Sequence, residues 1–174
     1  MVQERILVTR APGARTRGLL HLASGVRACA LGRSGITALK REGDGATPLG
    51  VFPLRMLLYR ADRTRWPSTV LPSHAIGPDD GWSDDPADRN YNRMIRLPSM
   101  GSAEGLKRQD HLYDLVLVMG YNDLPRVRGR GSAIFIHLAR PGYLPTEGCI
   151  AVSKRDFLAL IREAGPKTVI EIRG

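Results

Sequence analysis

Short apolar runs separated by turn-forming residues recur along this chain, and that rhythm constrains it to a mainly β architecture. The runs are Arg5 to Thr9, Val26 to Leu31, Val51 to Tyr59, Tyr113 to Met119, Ala133 to Leu138, Cys149 to Val152 and Thr168 to Ile172. Each is rich in Val, Ile, Leu or aromatic residues and is bounded by Gly, Pro, Asp or Asn, as strands between turns are. One helix is predicted. It starts at Ser153, where Ser153 and Asp156 form a capping-box-like pair ahead of Phe157, Leu158, Leu160, Ile161 and Ala164, and Gly165-Pro166 is expected to stop it.

The pattern weakens between Arg60 and Gln109, where Asp, Arg, Pro, Ser and Asn surround two tryptophans. A stretch this long inside a compact domain reads as a lid-like insertion, at about 60–110, and Trp66, Trp82, Tyr91 and Met94 favour its packing over disorder. No repeat or linker divides the chain, so residues 1–174 are expected to form a single domain with its own core.

Basic residues exceed acidic ones by 26 to 17, a formal charge of +9, which makes an anionic partner worth considering. Nucleic acid is disfavoured, because the cations are spread along the chain with no basic helix, zinc-finger spacing or aromatic RNA-binding motif. An anionic polymer such as cell-wall material fits the same charge. No apolar run approaches the roughly 20 residues that span a bilayer. Met1 to Val8 lacks the basic region and long apolar segment of a secretory leader, so export is either absent or the leader has been removed. His21, His74, His111 and His137 have no metal-ligand spacing, and two cysteines supply neither a zinc set nor a disulfide framework, so no metal or cofactor is expected.

Chemistry concentrates near the C-terminus. Ile134-Phe135-Ile136-His137-Leu138 and Thr146-Glu147-Gly148-Cys149-Ile150-Ala151-Val152 put a histidine and a cysteine on flanking apolar runs. A thiol is little ionised at neutral pH and needs a neighbouring base to serve as a nucleophile, and histidine is the usual one. The Ala139–Pro145 connection, with Pro141-Gly142 and Pro145, suggests a hairpin-like return that sets the two side by side. His111 is an alternative base, and Cys29, inside a strand-like run, reads as a buried inert thiol.

The Thr146 to Ile150 segment resembles the nucleophile motif of the YkuD-type L,D-transpeptidases, a histidine followed by Ser/Thr-His-Gly-Cys and a hydrophobic residue. Upstream, Thr47-Pro48-Leu49-Gly50-Val51-Phe52 resembles the family's Thr-Pro-x-Gly-x-Phe segment, and the likeness runs from about Val26 to Val152. It implies a mixed β-sandwich, α+β in class, with a C-terminal helix and a lid over a groove, and peptidoglycan cross-linking through a cysteine acyl-enzyme. Carried over by position, Cys149 is the nucleophile, His137 the base, and Gly148 lets substrate and backbone approach beside an oxyanion hole of nearby amides. Thr146 steadies the loop or meets substrate.

Three departures narrow the likeness. The eight residues from Leu138 to Pro145 make a short histidine-to-Thr146 gap, Glu147 replaces the motif histidine, and Ala151 replaces a polar residue. Glu147 either disfavours the thiolate, orients an amine, or is simply solvated. Substrate recognition is expected to move to the insertion, with Arg60 and Arg93 as carboxylate ligands and Trp82, Tyr91 and Asn92 beside them. The short spacing and the Trp-x-Asp-Asp and Tyr-Asn-Arg segments resemble a compact proteobacterial branch that makes 1,3 cross-links, from L-alanine to diaminopimelate. A 3,3-type transpeptidase, a stem-peptide amidase or carboxypeptidase and a non-catalytic wall-binding module are the alternatives. The implied partners are donor and acceptor stem peptides, the implied compartment is the periplasm, and a monomer is expected.

Overall fold

The computed structural model describes residues 2–174. Its strands are β1 (Gln3–Arg10), β2 (Arg17–Leu22), β3 (Gly25–Ala30), β4 (Ile36–Thr37), β5 (Thr47–Pro48), β6 (Gly50–Tyr59) and β7 (Ser73–Ala75). There follow β8 (Asp80–Ser83), β9 (Met94–Arg96), β10 (Ala103–Gly105), β11 (Leu115–Met119), β12 (Phe135–Leu138), β13 (Ile150–Val152), helix α1 (Lys154–Glu163) and β14 (Ala164–Arg173). The seven predicted runs correspond to β1, β3, β6, β11, β12, β13 and β14; the short β4, β5 and β7–β10 were not visible in the sequence, and neither was the longer β2. Its Arg17-Gly18-Leu19-Leu20-His21-Leu22 alternation buries Gly18, Leu20 and Leu22 against the core, a period-2 signal diluted by Gly18 and His21.

The main sheet runs β11-β12-β13-β3-β2-β1-β14-β6-β7, and β6 also pairs with β11. The mixed sheet therefore folds back and closes on itself, so its two halves face each other across a core that includes Ile6, Leu20, Leu57, Leu117 and Ile136. Helix α1 covers one end of that core with Phe157, Leu160 and Ile161. Ser153 caps the helix: its hydroxyl accepts from Asp156 N at 3.1 Å and donates to Asp156 Oδ2 at 2.6 Å.

Two expectations are corrected. The helix ends at Glu163 and the chain enters β14 directly at Ala164, with Gly165-Pro166 inside that strand. Proline is accommodated because the β1–β14 register jumps from Gln3↔Ala164 to Arg5↔Val169, so the residues between bulge out of the ladder. Nor is the return between His137 and Cys149 a hairpin. β12 and β13 are parallel, with Ile136↔Ile150, His137↔Ala151 and Leu138↔Val152, and residues 139–149 make the crossover.

The 60–110 stretch is structured rather than a loose loop. β7 extends the main sheet beside β6, and β10-β8-β9 forms a separate small sheet. Trp82 and Tyr91 are buried, whereas Trp66, expected to pack inside, is 65% exposed and touches Tyr59 only edge to face.

Phe157 is fully buried at the base of α1. Phe157→Ala should lower the unfolding free energy by about 3–5 kcal/mol in urea titrations, through lost burial and a residual cavity.

Candidate active site

The parallel register decides where the reactive side chains fall. Paired residues of adjacent strands project to the same face, so His137 and Ala151 share one, and Cys149, two residues before Ala151, lies on it too. The thiol sits at the mouth of β13 beside Phe135, whose amide donates to Cys149 Sγ at 3.4 Å. The Cys149 S–H donates in turn to the Ala133 carbonyl at 3.3 Å. Cys149 and His137 both border one cavity of about 390 Å³, with Tyr113, Glu104, Ser132 and Arg140 also on its wall.

His137 is buried, and its Nδ1 lies 2.9 Å from the Leu138 carbonyl. A carbonyl only accepts, so Nδ1 carries the proton and Nε2 keeps the lone pair. Burial holds the imidazole down to about 4. Burial first, and the negative Glu104 second, push the Cys149 thiol up to about 12. At neutral pH the resting pair is therefore thiol and imidazole, both uncharged. The Tyr113 ring packs edge-on against His137 at 5.4 Å and fixes its plane.

The backbone around Cys149 is braced from an unexpected quarter. Gly148 has φ of 133°, and a Cβ there would lie 2.8 Å from the Ala46 carbonyl, so only glycine fits. Thr146 Oγ1 donates to the Cys149 carbonyl at 2.6 Å and accepts from Gly148 N at 3.2 Å. The Thr146 backbone bridges to the residues after β3, through Thr146 N to the Leu31 carbonyl at 3.0 Å and Arg33 N to the Thr146 carbonyl at 2.8 Å. Thr47 Oγ1 accepts from Gly32 N in the same layer at 2.8 Å. The two sequence segments that stood apart, Thr47-Pro48-Leu49-Gly50 and Thr146 to Ile150, thus meet as the wall and floor of one turn.

The insertion residues occupy other positions than those expected of ligands. Arg60 is buried, its fork closed on Asp62 at 2.8 and 2.7 Å and its Nη1 donating to the Arg108 carbonyl at 2.6 Å, so it does not reach the cavity. Trp82 packs on Phe135 beneath the site, and its indole N–H donates to Asn92 Oδ1 at 2.9 Å. Asn92 also accepts from Ala133 N at 3.1 Å and donates to the Tyr121 and Asn122 carbonyls, both at 2.9 Å. Every hydrogen-bonding position of its amide is used internally. Tyr91 is buried, donating to Glu42 and accepting from Gly131 N. Arg93 is exposed beside a separate depression. Short polar side chains at tight turns read as ligands in the sequence, but here they hold the covering segment to the body.

Glu147 lies at the cavity mouth, exposed, with its carboxylate 2.8 Å from Arg33 Nε. Among its three readings, the solvated pair is the one its geometry matches. His111, the alternative base, is exposed outside the cavity and meets the Ala139 carbonyl at 3.1 Å. Both cysteines are free, and burial pushes Cys29 up to about 12. The sequence reading missed Glu104, Arg108 and Arg140 as cavity residues. Arg140, three residues after His137, was the one with a local signal, since the crossover had to leave β12 beside the site.

Two tests follow from this geometry. Asn92→Ala strips partners from Trp82, Ala133 and two carbonyls at once and should cost roughly 2–4 kcal/mol in urea unfolding. His137, held near 4 when folded against about 6.5 when unfolded, adds stability that is complete above pH 6.5 and lost as pH falls towards 4. Replacing it in His137→Gln should shrink the stability difference between pH 7 and pH 4 by about 3 kcal/mol, read from denaturation midpoints at the two pH values.

The family model described as YkuD, L,D-transpeptidase catalytic domain, matches residues 10–172. No curated protein matches the chain.

Proposed function

The chain belongs to the YkuD family of L,D-transpeptidase catalytic domains, enzymes of the cell wall that act on peptidoglycan, and from that membership we propose that it forms peptide cross-links through an acyl-enzyme on Cys149. The carrying observation is the shared face of Cys149 and His137 at the ends of adjacent parallel strands, inside one cavity. With thiol and imidazole both neutral at rest, proton transfer accompanies attack rather than preceding it. Cys149 Sγ bonds to the donor carbonyl carbon as its proton passes to His137 Nε2. The C–N bond then breaks, and the leaving amine takes that proton. The Cys149 amide stabilises the oxyanion, since the Gly148 amide already donates to Thr146 Oγ1. Losing one such donor costs about 10²- to 10³-fold in rate.

In this reading the whole chain works as one catalytic domain acting outside the cytoplasmic membrane, where its substrate is found. Among the described residues no helix is long and apolar enough to cross a membrane. Substrate carboxylates meet Arg140, exposed at the rim, rather than Arg60 or Arg93. Arg108 is a weaker candidate, because its fork already holds Asp110 at 2.8 and 2.7 Å.

We assign the cross-link to the 1,3 type. The short crossover and Ala151, whose methyl group borders the cavity opposite His137 where the family commonly has a polar residue, both favour it. Cys149 then attacks the L-alanine to D-glutamate bond and passes L-alanyl to the side-chain amine of diaminopimelate.

Incubation with purified muropeptides and mass spectrometry of the products tests both levels. Wild type should yield dimers together with a released fragment beginning at D-glutamate, and Cys149→Ala should form dimers more than about 10³-fold more slowly. Release of terminal D-alanine in place of that fragment would refute the 1,3 assignment alone. Equal cross-linking by Cys149→Ala would refute the acyl-enzyme.

A further inference from the structure

We infer that Glu104 and Asp84 form the receiving site for the primary ammonium group of the acyl acceptor, and that Glu104 removes its first proton; this rests on the acyl-enzyme reading above. The β8–β10 register pairs Trp82 with Glu104 and Ser83 with Ala103, and Asp84 N donates to the Ser102 carbonyl at 3.3 Å. Asp84, Trp82 and Glu104 therefore project from one face of the small sheet, and both carboxylates border the cavity that holds Cys149.

The bonding of these groups is incomplete in a way that points to a cation. Glu104 Oε1 accepts from the Tyr113 hydroxyl at 2.6 Å, which orients the carboxylate and leaves Oε2 for a ligand. Arg108 Nη1 stands 3.7 Å from Glu104 Oε1, beyond hydrogen-bond distance, while Arg108 Nε and Nη2 hold Asp110. Asp84 Oδ1 is buried with no donor. Ser132 is 6% exposed and borders the same cavity, and its hydroxyl, beside Tyr91, makes no hydrogen bond of its own. Buried acceptors left without donors are costly, and a ligand that brings donors removes the cost. A primary ammonium brings three donors and a positive charge. A metal ion is a poor match, because no three His, Cys, Asp or Glu side chains among the described residues gather to hold one.

The chemistry needs such a group. An alkylammonium is protonated at neutral pH and cannot attack a thioester until it loses a proton. Burial raises the Glu104 carboxyl above its ordinary range, which makes it a stronger base than a solvated carboxylate. The step balances: an N–H bond breaks as an O–H bond forms on Glu104, giving carboxylic acid and free amine. The amine nitrogen then bonds to the thioester carbon, and the C–S bond breaks with its electron pair going to Cys149 Sγ. The second amine proton passes through His137 Nε2 to that sulfur, and Glu104 returns its proton to solvent. The negative charge of Glu104 opposes a thiolate on Cys149, so protonating it relieves that opposition as the thiolate departs.

The readout is the ratio of amine adduct to hydrolysed product from one acyl-enzyme, in which any change in the acylation rate cancels. A purified muropeptide donor and a diaminopimelate-containing tripeptide acceptor are used at fixed concentrations from pH 6 to 10. Glu104→Gln keeps an acceptor for Tyr113 and should lower the ratio at least tenfold at pH 7, with recovery as pH approaches the amine's own pKa. Asp84→Asn should lower it in the same direction. A ratio within twofold of wild type in both variants overturns the assignment, as does a loss that high pH does not rescue. Wild type that gives neither adduct nor Cys149-dependent hydrolysis overturns the acyl-enzyme and this site together.

Discussion

Parallel pairing of β12 with β13 is the constraint on which the site depends. It sets His137 beside Ala151 and leaves Cys149 two residues away on the same face, at the strand's entrance and on the cavity wall. An antiparallel return would have bonded the two runs in the reverse direction and carried the cysteine to the other end of the ladder. Parallel strands need a crossover, and here a loop with a short 3-10 turn at Pro141–Tyr143 supplies it. That loop brings Arg140 to the rim and lets the Thr146 backbone pair with the chain leaving β3.

Burial then shapes the electrostatics. Burial holds thiol and imidazole neutral, so in the proposed reaction the thiolate is made only on attack. The neighbours of the thiol are held correspondingly firmly. Ala133 lies at a φ of 51°, an unfavourable conformation for a residue with a Cβ, and the Asn92 amide holds its N–H in place.

The sequence showed the strands with clear composition, the capped helix and the histidine and cysteine. These are local signals: apolar alternation, a Ser-x-x-Asp start and a cysteine beside glycine. What it concealed is non-local. Pro141-Gly142 and Pro145 carry turn chemistry whether the next strand pairs antiparallel or crosses over, and the difference lies in the residues after β3, more than a hundred positions earlier. Arg60 and Asn92 looked like ligands because their functional groups suit that role equally well. Asp62, two residues away, consumes Arg60, and four distant backbone and side-chain groups consume Asn92. Glu104 was invisible for the opposite reason, being a lone acid in a weakly patterned stretch that only the β8–β10 register turns towards the thiol.

The fourfold engagement of Asn92 has a mechanical meaning. One amide, itself held by Trp82 within the covering segment, bolts that segment to the Ala133 loop and to the turn after β11. Swinging that segment outward would break the three bonds that leave it and release the residue against which the thiol rests. The cover is thus a fixed roof over the cavity, not a door.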